Sequence, residues 1–335
     1  MALREIAGDL RARLPNFSGP NFGGDGTSED RAGLIKKAIG AVLVLALIYY
    51  PAGFLLFHTI DDDLGFAENA KATEPGRSHA VAIVANVLER EVKGNGWVAN
   101  DPWFYPTAFM DNMPNYQQGM IAAFGRFAYE LQDQLGRSRG SSQVDPDLDT
   151  ATGLLQYPAD VWHFDIATSI APTATSEAQY KRAIDTLRNY NERLGVGAAV
   201  YEKRADNLLA TLDRIALDLG ASSAVIDEHL ENQPGFFVDT TADDVFYATK
   251  GQLYAYAMVL EGLGLDFESI IVEKDVMPLW REMTNNLKEA AELQPWIVVS
   301  GAPDSQFLPS HLAGQGFYLL RARTQLREIT NILLK

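Results

Sequence analysis

The chain contains no cysteine. Thiolate metal sites, cysteine nucleophiles and disulfides are therefore excluded. Histidine is scarce too. His58, His79, His163, His229 and His311 are the five, and none belongs to an H-E-x-x-H zinc motif. Positive charge is short: 28 Lys and Arg stand against 44 Asp and Glu, for a net charge of −16. That balance excludes nucleic acid as a partner, which needs a basic face, and a polybasic grip on anionic lipid. Strand signals are almost missing, since only residues 236–238 (FFV) and 296–299 (WIVV) read as short strands. No cofactor and no metal is expected.

What is present is one long apolar run. Ala38 to Phe57 reads AIGAVLVLALIYYPAGFLLF without a charge. As a helix it is ~30 Å long, the thickness of a bilayer's hydrocarbon core. Six basic residues precede it (Arg4, Arg11, Arg13, Arg31, Lys36, Lys37), and Asp61, Asp62 and Asp63 follow it. Basic flanks stay in the cytoplasm, so the N-terminus is expected inside and the C-terminal bulk, carrying about −17 of the charge, outside. A cleaved signal peptide fits poorly. Its n-region would be 37 residues long, and FHTIDDD offers no pair of small residues for cleavage. The mature protein is expected to keep Met1 or Ala2. Pro51 should kink the outer third of the helix, and no Gly-xxx-Gly pair encodes tight self-association of the span.

The organisation expected is a cytosolic tail (1–37), a transmembrane helix (38–57), an acidic juxtamembrane linker (58–75) and a periplasmic helical domain (76–335), with a sub-boundary near 137–150. Leu3, Ile6, Leu10 and Leu14 predict a short amphipathic helix in the tail, and residues 15–30 a Gly/Pro-rich linker. Ser78 caps a helix ending near Gly94, and another runs over about 115–135. Ser176 with Gln179 forms a capping box ahead of Tyr180, Ala183, Leu187, Tyr190 and Leu194. After Gly195 and Gly197, Tyr201, Ala205, Leu208, Leu212, Ile215 and Leu219 repeat at heptad spacing, and Gly220 should end that helix. This pair predicts an αα-hairpin with a coiled-coil-like seam. Thr240 and Thr241, then Asp275 with Pro278, then Ser310 begin three more helices. The fold class is thus mainly α: one N-terminal transmembrane helix followed by a periplasmic, helical-bundle-like domain containing an αα-hairpin.

Candidate chemistry is thin. Gly136–Gly140 matches G-x-S-x-G, but that motif needs a strand-to-helix turn, and here it follows a helix. Asp145, Asp147 and Asp149 imitate the start of a calcium loop. The sixth position is Thr150 instead of Gly and the twelfth Gln156 instead of Glu, so a solvated acidic loop is expected. Glu268-Ser269 imitates the catalytic pair of lytic transglycosylases without their downstream segment, and a lone Glu would need burial to act as a general acid. His163 among aromatics with Asp165 is the candidate polar site, with a hydrogen-bonded core histidine as the plainer reading. The aromatic segment 97–116 supplies the candidate interaction surface: Trp97, Trp103, Phe104, Tyr105 and Tyr116.

The run His311-Leu312-Ala313 … Gly316-Phe317-Tyr318-Leu319-Leu320-Arg321-Ala322-Arg323-Thr324-Gln325-Leu326-Arg327-Glu328-Ile329 resembles the bacterial domain-of-unknown-function 2333 family. Residues 204–208 (RADNL) and 242–247 (ADDVFY) fit the same resemblance, which would cover nearly the whole chain from the span onward. It implies a Gram-negative envelope protein with an N-terminal anchor, and carries no catalytic residues with it.

The function expected is a single-pass, inner-membrane-anchored periplasmic scaffold or interaction protein of the cell envelope. Its partners would be the membrane, through one span, and other envelope proteins, with self-association left open. An envelope hydrolase acting on cell-wall or lipid material is the alternative, and a deep pocket holding a buried, unpaired carboxylate or histidine would favour it. A lipid- or ligand-binding bundle is the third class, marked by an internal apolar tunnel.

Overall fold

The computed structural model describes residues 28–57, 59–107, 110–136, 144–164, 171–232, 240–301 and 309–335. Among these are eleven α-helices and no strand. The chain divides into two compact units, Met1–Tyr49 and Tyr50–Lys335. The described part of the first unit belongs to α1 (Ser28–Phe57), which continues into the second unit. Arg31–Gly53 within it is long and apolar enough to cross a membrane, and the chain buries none of its most apolar stretch. The amphipathic helix and most of the linker expected before it lie outside the described residues, as does the expected strand at 236–238.

The second unit is a helical bundle. Its centre is α8 (Thr240–Asp266), where Leu253, Tyr254, Ala255, Tyr256, Ala257, Met258, Val259 and Leu260 are all buried. A helix apolar on every side can only be a central one. Around it pack α3 (His79–Glu89), α4 (Asn112–Glu130) and α10 (Met277–Glu292). Outside these lie α5 (Pro146–Leu155) with α6 (Ser176–Gly195) on one flank, and α7 (Ala205–Asn232) with α11 (His311–Leu333) on the other. Two short helices, α2 (Phe66–Ala70) and α9 (Glu268–Glu273), complete the set.

The caps follow the sequence. Ser78, Thr175 and Ser310 accept hydrogen bonds from Val81 N, Ala178 N and Ala313 N. Thr175, one residue before the expected Ser176, makes the cap, because the Ser176 hydroxyl is taken by Pro158 O and Val161 N. Residues 296–299 form no strand. Among the described residues, one antiparallel bridge, Ser300 to Ser310, pairs there.

The hairpin seam is corrected by the packing. Leu208, Leu212, Ile215 and Leu219 are buried as expected, but α7 packs chiefly on α11, and α6 chiefly on α5 and α3. Residues 196–204 separate the two helices, first as a turn at 196–199 and then with Glu202 N donating to Leu135 O, and α6 and α7 take different partners. Gly220 does not end α7 either. It lies mid-helix beneath the guanidinium of Arg323, whose Nε donates to Ala216 O. Ile226 near Gly316, and Ala216 with Gly220 near Arg323, make α7 and α11 antiparallel.

A stability prediction follows from this changed partner. Leu212→Ala should cost ~2–5 kcal/mol, the usual range for a buried leucine. The melting temperature of wild type should not depend on protein concentration, since the stripe is buried within one chain. A wild-type dimer that the substitution converts to a stable monomer, seen by light scattering, would contradict this.

Candidate functional site

The acidic residues after α1 are docked, not free. Asp61 offers its backbone oxygen to Arg90 Nη2 at 2.7 Å and to the Tyr116 hydroxyl at 3.3 Å, and its carboxylate to Arg90 Nη1 at 3.2 Å. Asp62 pairs with Lys250 Nζ at 2.6 Å and accepts from Gln294 Nε2. Asp63 O accepts from the Tyr254 hydroxyl at 3.0 Å. The segment expected to be a linker is thus seated on α3, α4 and α8 by its own backbone.

A buried lysine and a partly buried arginine make the socket. Lys250 has 1% of its side chain exposed and also donates to Ala291 O and Leu293 O. Burial pushes its pKa down, and Asp62 opposes that shift. Arg90 donates to the Tyr254 hydroxyl at 2.9 Å and stacks over the Phe66 ring at 4.4 Å. Arg90 begins a π-helical turn, Arg90–Gly96, that continues α3. Such turns recur at functional positions.

The next residue, Glu91, is fully buried beside Arg90. Asn95 donates to it at 3.1 Å, and Gln117, at 3.5 Å, bonds it while also holding Gly96 O and Val98 N. Burial raises its pKa to about 7, with Arg90 opposing. A carboxyl raised in the folded state favours folding fully below its unfolded pKa, and that contribution is lost as pH rises through the folded value. Wild-type stability should therefore fall between about pH 4.5 and 7 through this group. Glu91→Gln should flatten that slope in melts taken across the range; parallel curves for the two proteins would refute the assignment.

The aromatic candidates separate into two groups. Trp97 and Tyr116 belong to the core, a correction to their place on an interaction surface. Trp97 donates to Ala159 O and meets Tyr180 edge-on at 4.8 Å, and Tyr116 packs near Tyr254. Trp103, Phe104 and Tyr105 are exposed, at 76%, 42% and 39%. Phe104 contacts Trp162 at 5.5 Å, and Trp162 contacts Phe164 at 5.7 Å. His163 sits exposed on that second loop, with its backbone oxygen accepting from Thr173 N, so it is no core histidine. Its expected partner Asp165 lies outside the described residues, as does most of the G-x-S-x-G segment.

The acidic repeat is helical, not a solvated loop. Asp145 caps α5 by accepting from Asp147 N, and Arg193 pairs with Asp145 at 2.6 Å and Asp147 at 2.5 Å. A guanidinium stands where a calcium ion would. Glu268 is exposed at the start of α9, which removes the burial a general acid needs. Asp243 lies in the first turn of α8, where the helix dipole favours a carboxylate, and Asp244 follows it. Burial and the facing Asp111 raise the Asp243 pKa to about 6.

An open groove of about 710 Å³ lies between α4, α7 and α8. Its carboxylate, Asp218, accepts from the Tyr256 hydroxyl at 2.6 Å and Arg126 Nε at 3.2 Å. Glu91, the most deeply buried carboxyl, does not line it. The socket was hidden in the sequence because nothing local marks Lys250 or Arg90 as the partner of the acidic triplet. The one visible hint was the acidic triplet awaiting a counter-charge.

A family model described as an uncharacterised protein conserved in bacteria (DUF2333) matches residues 33–235. The match takes in the apolar helix, the docked triplet and every helix through α7, and includes residues 204–208. The runs at 242–247 and 311–329 lie beyond it. No curated protein and no solved structure matches the chain.

Proposed function

The chain belongs to this bacterial family, DUF2333, and from its residues we propose a single-pass, inner-membrane-anchored periplasmic scaffold or interaction protein of the cell envelope. One observation carries the reading. The residues immediately after the apolar run enter the bundle through Arg90, Lys250, Tyr116 and Tyr254. The residues that follow the run are thus part of the domain's own packing and not a free tether, which suits a protein that presents an ordered surface to neighbours. The basic residues before the run support an N-terminus inside.

Catalysis has less support. Glu91 is buried and raised, but it is bonded on every side the structure describes and faces no described cavity. In the groove, Asp218 is committed to Tyr256 and Arg126.

The test has two parts. A reporter active only in the periplasm, fused at Lys335, should be active, and the protein should stay with membranes through alkaline carbonate extraction. In mild detergent it should then migrate in an assembly larger than its own 36.9 kDa chain in a micelle. An active cytosolic fusion with an inactive periplasmic one would reverse the topology. Migration as a lone chain, together with turnover of an envelope substrate, would replace the scaffold with an enzyme.

A further inference from the structure

The exposed aromatic loops lie against the end of the apolar helix. Within the second unit, the Tyr50 hydroxyl reaches Trp103 O at 3.4 Å. Gly53 is buried against Pro106, so closely that a Cβ there would collide with the proline ring. Tyr50 and Gly53 are part of the run Ala38–Phe57, with Phe57 one turn further on. A loop packed on them is therefore at the depth of the run's last two turns. That loop presents Trp103 at 76% exposure and Phe104 at 42%, backed by Trp162 and by Phe164 at 53%.

A second aromatic group lies beside the docked triplet. Gln294 holds Asp62 through both carboxylate oxygens. Two residues on, Trp296 is fully exposed, followed by Ile297 at 53%. A tryptophan with no contact area is costly in water and favourable at a headgroup layer, where its ring is buried and its N–H stays wet.

Charge decides between water and lipid here. A domain this acidic would be repelled by anionic headgroups if its membrane-proximal carboxylates faced out. Asp61 and Asp62 instead turn inward onto Arg90 and Lys250. Two of the three charges beside the exit of the apolar helix are thus neutralised, and Asp63 stays exposed.

The geometry points to a lipid-seating face: Trp103 with Phe104, Trp162 and Phe164 on one side, and Trp296 with Ile297 on the other, enter the headgroup layer of the outer leaflet. The domain then lies on the membrane and does not stand off it. This rests on the anchored reading above, and the experiment separates the two.

The absence of cysteine makes single-site labelling direct. Nitroxides are placed in the full chain at Trp103→Cys, Trp296→Cys, Leu45→Cys within the run, and Val272→Cys. Val272 is exposed on α9, beyond Asp266, which ends α8 ~24 Å along that helix from Lys250. The proteins are reconstituted into vesicles of phosphatidylethanolamine and phosphatidylglycerol. Power saturation with oxygen and with a water-soluble nickel chelate then reports depth. Both tryptophan positions are exposed, so truncating them removes no core contact. The oxygen-to-nickel ratio at positions 103 and 296 should exceed that at 272 by several-fold and fall below that at 45. Aqueous access at either tryptophan position equal to that at 272, with 45 still in lipid, overturns the seating face alone. Aqueous access at 45 overturns the anchor, and this inference with it.

Discussion

Gly251→Ala should destabilise the bundle, although alanine is the better helix former. In an exposed helix the change would gain about 1 kcal/mol. Here α8 crosses α4 with backbones almost touching. A Cβ on Gly251 would stand 1.9 Å from Tyr116 O, and one on Gly119 would stand 1.9 Å from Ala248 O. Backbone cannot turn aside as a side chain can, so the helices must separate. This is the most extensive helix pair in the bundle, and it carries the buried Tyr116 and Tyr254 rings. Overpacking of a close-packed core costs ~1–3 kcal/mol, and collision with backbone belongs at or beyond the upper end. Gly119→Ala should behave alike. The double variant should lose less than the sum of the two, because helices already parted by one methyl accept the second more cheaply. Thermal melts of the detergent-solubilised chain measure this. A rise in melting temperature for Gly251→Ala would show that the helices are free to slide apart.

That contact also shows what sequence discloses and what it withholds. Helix starts were legible because a cap is local: Ser78, Thr175 and Ser310 lie within three residues of the amides they hold. The apolar helix was legible because length and charge alone mark it. The face of α7 that is buried was legible from the spacing of Leu208, Leu212 and Ile215, but not what covers it. Periodicity fixes a direction and names no partner, and the nearer helix in sequence was the wrong one. The docked triplet failed for a related reason. Three aspartates in a row look solvated unless Arg90 and Lys250, far along the chain, are known to pair with them. The aromatic segment 97–116 stood out by composition, but composition could not divide Trp97 and Tyr116, which fill the core, from Trp103 and Phe104, which face out.

Asp266→Ala should be among the most damaging single substitutions in the second unit. Asp266 ends α8 with its side chain fully buried. One oxygen accepts from Ser78 Oγ at 2.7 Å, Ala80 N at 3.1 Å and the Tyr201 hydroxyl at 3.1 Å, and the other from His79 N at 2.9 Å. Lys203 is 3.7 Å away. The carboxylate therefore joins the C-terminus of α8, the N-terminus of α3 and the connector between α6 and α7. It also places negative charge at a helix N-terminus, where the amide dipoles favour it. Asn191 completes the joint by bonding Ser78 N and Ser78 O. Removing the carboxylate strands four donors in a buried site. Each costs ~1–3 kcal/mol when left unsatisfied, so a loss of at least about 3 kcal/mol is expected, or ~6–12 °C in melting temperature for a domain of this size. Asp266→Asn keeps the shape and one good acceptor, and should lose roughly half as much. Ser78→Ala removes only one of the donors and should cost ~1 kcal/mol. The measurable content is the order of damage: Asp266→Ala first, Asp266→Asn second, Ser78→Ala third. Near-equal melts for the two Asp266 variants would mean that packing holds the three elements together and the carboxylate does not. Hydrogen exchange supplies the local readout. Amides at the start of α3 should lose protection first in Asp266→Ala, ahead of those in the centre of α8, because the joint and not the core is what the substitution opens.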